Sequence, residues 1–317
     1  MKNEQVLSIS HLTKQYTKGV LAVDDVSFSL ERGEIFGLLG PNGSGKTTTI
    51  LMILGLLESS GGEVDILGCN PLRTPLTVKR QVGYMPDTIG FYDYMTAYEN
   101  IDYTARFLNL EEKERKRRVE DALDKMHLSD RANDKVKTYS HGMKRRLGLA
   151  ELLVKHPKIA ILDEPTQGLD PQSISGFLAT IRSLRDSEGM TFLLSSHQLN
   201  EVQSVCDKVG LFSKGKLISS GTVDELSKKY FGSNLLINVQ VEGKSNLFKT
   251  FASLGGIVHV ERKGDSLWLL ECLEDVRAQI AETVFASKEK LVSLELLTHS
   301  LNDIYQQAFQ EVSSEKA

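Results

Sequence analysis

Three cysteines, seven prolines and a single tryptophan are all that the 317-residue chain holds of those types. Cys69, Cys206 and Cys272 stand far apart, and no pair has metal-ligand or redox spacing. That scarcity excludes a disulfide-stapled secreted scaffold. It suits a reducing compartment, where a buried thiol acts as a small apolar residue. No apolar stretch approaches the roughly 18 residues that cross a bilayer. No apolar signal segment follows the polar start Met1-Lys2-Asn3-Glu4-Gln5. The chain is therefore expected to be soluble and to need a partner if it works at a membrane. An excess of positive charge is missing too. With 38 Lys and Arg against 42 Asp and Glu, the net charge is −4, which gives nucleic acid no general attraction. Internal repeats and low-complexity tracts are absent.

What is present reads as an ordinary globular chain, 40% hydrophobic and 25% charged. The length suggests two domains. Strands are expected at Leu7-Ser8-Ile9 and at Val26-Ser27-Phe28-Ser29-Leu30, where the faces alternate. Ile35-Phe36-Gly37-Leu38-Leu39 is a continuous apolar run, the pattern of a buried strand. A Gly-rich loop follows, then a helix expected from Lys46 to Leu57. The segment from Asp87 to His156 reads as mostly helical. Two more buried strands end on polar residues: Ile159-Ala160-Ile161-Leu162 leads to Asp163-Glu164-Pro165, and Thr191-Phe192-Leu193-Leu194-Ser195-Ser196 leads to His197. Strands alternating with helices argue for an α/β fold with a mostly parallel sheet, its ligand at the strands' carboxyl ends. After Tyr230 the order becomes βαββαβ, the signature of a small ferredoxin-like α+β domain.

The chemistry concentrates at the strand ends. Gly40-Pro41-Asn42-Gly43-Ser44-Gly45-Lys46-Thr47 matches the Walker A phosphate loop G-x-x-x-x-G-K-[ST]. Its glycines let backbone N–H groups converge on phosphate, and the following helix adds a favourable dipole. Lys46 offers charge to the β- and γ-phosphates, Thr47 a hydroxyl to Mg²⁺, and Thr48 belongs to the same nucleotide-binding set. Asp163-Glu164 after four apolar residues reads as a Walker B strand. Asp163 would act on the Mg²⁺ shell, and Glu164 as general base or water-positioning group. The bland alternative, a pair of solvated acids, loses ground beside a phosphate loop. His197 has two readings of equal standing, a satisfied structural histidine or a hydrogen-bond partner for developing charge on the γ-phosphate. The run Glu111-Glu112-Lys113-Glu114-Arg115-Lys116-Arg117-Arg118 reads better as a solvated helix face with mixed-sign pairs than as a nucleic-acid patch.

In order and spacing these residues resemble the nucleotide-binding domain of ATP-binding cassette (ABC) transporters, over about residues 6–229. Tyr139-Ser140-His141-Gly142-Met143 is similar to the family's signature motif, L-S-G-G-Q, and Gln167-Gly168-Leu169-Asp170 to its D-loop. His197 falls where the family has its switch histidine, and Tyr16 where it has an aromatic that stacks on adenine. The resemblance implies a P-loop NTPase core with a RecA-like, mostly parallel sheet, an antiparallel β subdomain and a helical subdomain at about 88–156. It implies ATP and Mg²⁺ as cofactors, with Thr47, Asp87 and Asp163 toward the metal. It also implies two chains meeting head to tail, each ATP lying between one phosphate loop and the other chain's Ser140 and Gly142.

Two motifs depart from the family pattern. In the signature His141 replaces the first glycine and Met143 the glutamine, and Asp87 stands in Gly83-Tyr84-Met85-Pro86-Asp87 where the family has its Q-loop glutamine. An acid there can still reach Mg²⁺ or its water, but an ionised one donates no hydrogen bond. Further details, Met95-Thr96-Ala97-Tyr98-Glu99-Asn100 and Gly142-Met143-Lys144-Arg145-Arg146-Leu147, are similar to the bacterial export branch. The expected layout is an ATPase domain at 1–229 and an accessory domain at 230–317. The expected partners are a second copy and an integral membrane permease, docked near 87–109 through Phe91, Tyr92, Tyr94 and Met95. That sets the chain in the cytoplasm, on the inner face of the cell membrane, with no nucleic-acid partner. The rival is a non-transport ABC ATPase acting on ribosomes or DNA. It is disfavoured by the single cassette, the acidic balance and the short interval from Thr47 to Ser140. For the C-terminal domain, dimer contact or regulation is expected, with Trp268 in its core.

Overall fold

The computed structural model describes residues 4–17, 19–243, 246–297 and 300–314. The first three residues of the polar start lie outside that set. The chain divides into two compact units, up to Thr222 and from Val223 onward. In the first unit β1 (Gln5–Thr17), β2 (Val20–Glu31) and β3 (Ile35–Leu39) precede α1 (Lys46–Ile53), β4 (Gly61–Ile66), α2 (Pro75–Gln81) and β5 (Val82–Met85). A helical stretch follows, with α3 (Ala97–Ala105), α4 (Glu112–Lys125) and α5 (His141–Leu153). The unit closes with β6 (Ile159–Leu162), α6 (Pro171–Glu188), β7 (Thr191–Ser196), α7 (Leu199–Val205), β8 (Lys208–Ser213) and β9 (Lys216–Gly221).

The central sheet runs β5-β6-β7-β3-β8-β9, parallel except for β9. Its strands read as unbroken apolar runs because both faces are covered. Successive side chains point to opposite faces. Phe36, Leu38, Ile159, Ile161 and Leu193 join a core with α1 and the antiparallel sheet β2-β1-β4. Ile35, Ala160, Leu162, Phe192 and Leu194 join the opposite core, with α3, α4, α5 and α6. Each fully buried Leu, Ile or Phe contributes roughly 1.5–3 kcal/mol, so a one-residue slip of a strand would exchange both faces at once.

Helix α1 ends at Ile53, short of the expected Leu57. Gly55 takes φ +64, and a Cβ there would meet the Pro71 carbonyl at 2.7 Å. Gly55 N–H bonds Met52 O and Leu56 N–H bonds Leu51 O, closing a Schellman turn that stops the helix. Helix α3 starts on a reciprocal capping box: Glu99 N–H donates to Thr96 Oγ1 (3.1 Å), and Thr96 N–H to Glu99 Oε2 (2.8 Å). On α4 most of the basic run is paired along its own helix, while Arg115 reaches Asp102 on α3. Lys116 meets Glu112 at 2.6 Å, Arg117 meets Glu114 and Asp121 at 2.8 Å, and Arg118 meets Glu114 at 2.7 Å. The mixed-sign reading of that face is therefore the structural one.

The second unit holds α8 (Val223–Phe231), β10 (Leu235–Glu242), α9 (Phe248–Ala252), β11 (Ile257–Arg262) and β12 (Leu267–Cys272). It ends with α10 (Arg277–Ala286), β13 (Lys290–Leu297) and α11 (Leu301–Ser314). Its sheet runs β11-β12-β10-β13 with every neighbouring pair antiparallel. With β12 inserted between β10 and β11, this is the expected ferredoxin-like order. Its core is Ile237, Val239, Phe251, Trp268, Leu270, Ile280 and Val284. The boundary expected after residue 229 falls inside α8. Among the described residues no helix is long and apolar enough to cross a membrane.

Candidate active site at the carboxyl ends of four strands

Four neighbouring parallel strands, β5, β6, β7 and β3, each release a polar group at the carboxyl end. In sheet order these are Asp87, Asp163-Glu164, His197 and the loop Gly40–Thr47. Neighbouring strands lie about 4.8 Å apart, so groups distant in sequence fall within reach of one polyphosphate. The loop needs its glycines locally. Gly45 takes φ +108, and a Cβ there would lie 2.7 Å from the Ala22 carbonyl. Helix α1 begins immediately at Lys46, with no side-chain cap and no acid in its first turn. Its leading N–H groups and positive dipole end are thus open to an anion. Ser44 Oγ, also in the loop, is buried without a hydrogen-bond partner.

Three charged groups form a chain behind the loop. Lys46 and Glu164 are only 4% and 8% exposed. The Lys46 ammonium donates to the carbonyl oxygens of Gly40 (2.7 Å) and Pro41 (3.2 Å), and sits 3.3 Å from Glu164 Oε1. The other oxygen, Oε2, lies 2.8 Å from His197 Nδ1. An ionised Glu164 is acceptor-only, so Nδ1 carries the proton in that contact. Glu164 itself holds φ +45, a left-handed conformation that costs a non-glycine residue roughly 1–2 kcal/mol. Ser195 offsets this. Its Oγ accepts from the Glu164 N–H at 2.9 Å and donates to Asp163 Oδ1. Burial pushes the Asp163 carboxyl up, against hydrogen bonds from Ser195 and Thr47 that pull it down.

A cavity of about 300 Å³ opens over these groups. Asn42, Gly43, Gly45, Lys46, Thr47, Thr48, Asp87 and Glu164 line it, together with Ala22 and Gln167. Asp163 meets that wall through Thr47, and His197 through Glu164. Asp87 is exposed and accepts from the Thr88 N–H at 2.7 Å. Tyr16 is not part of the wall. It lies 58% exposed near the end of β1, with the Lys14 ammonium 5.3 Å from its ring centre. Ser140 and Gly142 also stand elsewhere. Ser140 Oγ caps α5 by accepting from Met143 N–H at 3.3 Å, and Gly142 borders a separate cavity of about 510 Å³ with Leu169 and Ser173. Ala22 and Ser195 escaped the sequence reading, and Gln167 entered it only as part of the D-loop motif. A hydroxyl inside the apolar run Thr191–Ser196 was the available signal for Ser195; Ala22 had none.

A family model described as ABC transporter matches residues 23–167, from β2 through the phosphate loop to Gln167. The chain is 36% identical over 255 residues to the linearmycin resistance ATP-binding protein LnrL of Bacillus subtilis, covering 80% of each chain. It belongs to the ABC transporter ATP-binding proteins. This ABC ATPase is also 34% identical to the uncharacterized ABC transporter ATP-binding protein YhcH of the same organism, over 98% of both chains. That likeness therefore takes in the second unit. A solved ATP-binding subunit of an ABC transporter superposes with a TM-score of 0.64 at 32% identity, covering 72% of this chain and 94% of that one. The six-stranded sheet with its phosphate loop is the ABC cassette, and the chain is an ATP-binding, ATP-hydrolysing transporter subunit.

Proposed function

We propose that this ABC ATPase works as a head-to-tail homodimer on the cytoplasmic face of the cell membrane, driving a separate permease in an export reaction. One observation carries the dimer: Lys46, Thr47, Asp87 and Glu164 share a cavity, and Ser140 and Gly142 lie outside it. A second chain's Ser140 hydroxyl and Gly142 N–H, at the start of its α5, supply the remaining donors to the γ-phosphate. ATP then holds the two chains together, and hydrolysis releases them. Export is supported by the relative named for linearmycin resistance.

The chemistry follows from which contacts a phosphate displaces. A phosphate oxygen in the loop competes for the Lys46 ammonium through a charge-assisted bond stronger than those to Gly40 and Pro41. Lys46 then leaves Glu164 Oε1, which is free to accept a proton from an attacking water. His197 stays on Oε2 and keeps the carboxylate oriented. Thr47, Asp163 and Asp87 offer the hydroxyl and carboxylate oxygens that Mg²⁺ prefers. Among the described residues no three His, Cys, Asp or Glu side chains are grouped to cage a metal. One hydroxyl and two carboxylates, completed by water and the nucleotide, are within what Mg²⁺ takes from a protein. When bound, Mg²⁺ neutralises charge on the β- and γ-phosphates. Tyr16 is proposed to stack on the adenine from outside the wall, and the support is that β2, its hairpin partner, contributes Ala22 to that wall.

For the permease, an exposed aromatic row supports docking. Tyr92, Tyr94, Tyr103 and Phe107 are all exposed, with ring centres 5.5–6.0 Å apart from Tyr94 through Tyr92 and Tyr103 to Phe107. Phe91 leans into the helical core instead, and Met95 is half-buried. The deciding experiment is Glu164→Gln at saturating ATP, followed by light scattering on the eluted protein. A dimer with ATP retained is expected; a monomer overturns the shared site. Asp87→Ala should lower Mg²⁺-dependent turnover more than ATP affinity, and equal losses would remove Asp87 from the metal. Membrane fractions should retain the chain only when its permease is co-expressed.

A further inference from the structure

Two residues outside the nucleotide cavity tie the catalytic carboxylate to the histidine a second time. Thr166 is 3% exposed, and its hydroxyl donates to Glu201 Oε2. Thr166 stands two positions after Glu164, and Glu201 four positions after His197. The chain between Glu164 and Thr166 is Pro165 alone, whose φ is locked near −65°. Between His197 and Glu201 the chain turns directly into α7. Gln198 N–H donates to Ser196 Oγ at 2.9 Å, and Val202 and Val205 are buried on α7. The two hydrogen bonds therefore close a ring that runs from Glu164 through Pro165 to Thr166, across to Glu201, back along the start of α7 to His197, and across to Glu164.

The tie is also sheltered. Glu201 Oε1 is buried with no hydrogen-bond partner, so the carboxylate's attachment rests on Oε2. A buried carboxylate oxygen without a donor is costly and needs a compensating role. Burial raises the Glu201 carboxyl, with the Thr166 hydrogen bond opposing. On the other side Thr166 opens the D-loop. Leu169 N–H donates to Thr166 O at 3.2 Å, and Asp170 then caps α6 by accepting from Ser173 N–H at 3.0 Å. The loop is thus joined to Glu201 by one hydrogen bond, and Glu201 to His197 by the start of α7.

We propose that Thr166 and Glu201 are positioning residues that hold the His197 imidazole in register with the Glu164 carboxylate and link that register to the D-loop. The inference rests on the catalytic roles given above to Glu164 and His197. Removing the link leaves both groups and the phosphate loop intact but lets the imidazole wander. Misplacement on the scale of an ångström costs turnover rather than ground-state binding.

The test uses the full chain with Mg²⁺ and ATP. Glu201→Ala and Thr166→Val should each lower kcat about tenfold with KM for ATP within about twofold. Combining them should cost no more than either alone, because both cut the same tie. Glu201→Gln and Thr166→Ser, which keep an acceptor and a donor, should restore most of the turnover. In a His197→Ala background, Glu201→Ala should cost nothing further. A full tenfold loss in that background, or an unchanged kcat in the His197-containing chain, overturns the proposal. So does a raised KM at constant kcat. Should Glu201→Ala not fold, the Thr166→Val and Thr166→Ser pair decides by the same readings, as does the Nδ1 nitrogen shift of His197 by NMR. That shift should move in Thr166→Val and return in Thr166→Ser. If His197→Ala and Glu164→Gln themselves turn over normally, it is the catalytic reading that fails. If they lose turnover and Glu201→Ala does not, the link alone fails.

Discussion

The two units of this chain treat polar groups in opposite ways. Among the described residues every buried polar or charged side chain belongs to the first unit, among them Lys46, Asp163, Glu164, Thr166 and Ser195. The second unit's buried set is apolar: Trp268, Phe251, Ile237, Ile280 and their neighbours. Burying an unpaired polar group costs a few kcal/mol, so such groups persist where they are mutually satisfied and have work to do. In the first unit they line up at the ends of adjacent parallel strands, where a phosphate can reach them. In the second the core's one thiol, Cys272, is fully buried and pushed up to about 11 by that burial, so the core offers no group that ionises near neutrality.

That contrast can be broken at four points, taken from the largest expected effect to the smallest. Lys46→Ala removes the one ammonium in the cavity wall, and ATP affinity measured by calorimetry should fall about a thousandfold. Unchanged affinity would mean that the loop binds phosphate by its amides alone. In the second unit, Trp268→Ala empties a site where the ring meets Phe251 edge-on at 5.7 Å and Arg262 at 5.3 Å. It should destabilise that unit by about 3 kcal/mol in denaturant titration, with ATP affinity unaltered. A parallel loss of ATP binding would show that the units do not stand independently.

Asp102→Asn comes third. Asp102 is buried on α3 and accepts from Arg115 Nε at 2.7 Å and Arg106 Nε at 3.0 Å. Burial pushes its carboxyl up, but those hydrogen bonds outweigh it and hold the group below the usual carboxylate range. Losing the pair should cost the first unit about 2 kcal/mol, part of it from leaving Arg115 unpaired. A carboxyl lowered on folding stabilises fully above its unfolded pKa of about 4, and that share is lost as pH falls through the folded value. The stability gap between Asp102 and the variant should therefore be widest near neutrality and close in acid. A gap that does not depend on pH would assign the effect to packing. Smallest of all, removing everything after Thr222 should change ATP affinity by less than about twofold, because no residue of the nucleotide cavity lies beyond that point. A larger change would give the second unit a direct hand in the site.

Much of this was legible in the amino-acid sequence. The phosphate loop, the Asp163-Glu164 pair and His197 each follow an apolar run, and a run of that kind in an alternating β/α order is a buried parallel strand. The pairing of charges on α4 was also readable, since residues three and four apart on a helix always face each other. The C-terminal strand order followed from βαββαβ connectivity. Helix ends were less legible. Leu54 to Leu57 are good helix formers, and only the left-handed Gly55 beneath the Pro71 carbonyl stops α1 at Ile53. The exposed aromatic row was half legible. Phe91 and Tyr92 are neighbouring aromatics in sequence, yet Phe91 packs against the helical core and Tyr92 is exposed.

The sequence by itself determined the chemistry on offer: one lysine, three carboxylates, a histidine and a glycine loop, each encoded in a few contiguous residues whose order sets their strand ends. Tertiary structure alone decided which of them touch. Lys46 reaches Glu164, Glu164 reaches His197, Ser195 bridges to Asp163, and Thr166 reaches Glu201, because interstrand hydrogen bonds set β3, β7 and β6 side by side. Those pairs are separated by dozens of residues, and no local periodicity records them. Ser140 and Gly142, by contrast, stand outside the cavity, which their place beside the phosphate loop in the motif order does not reveal.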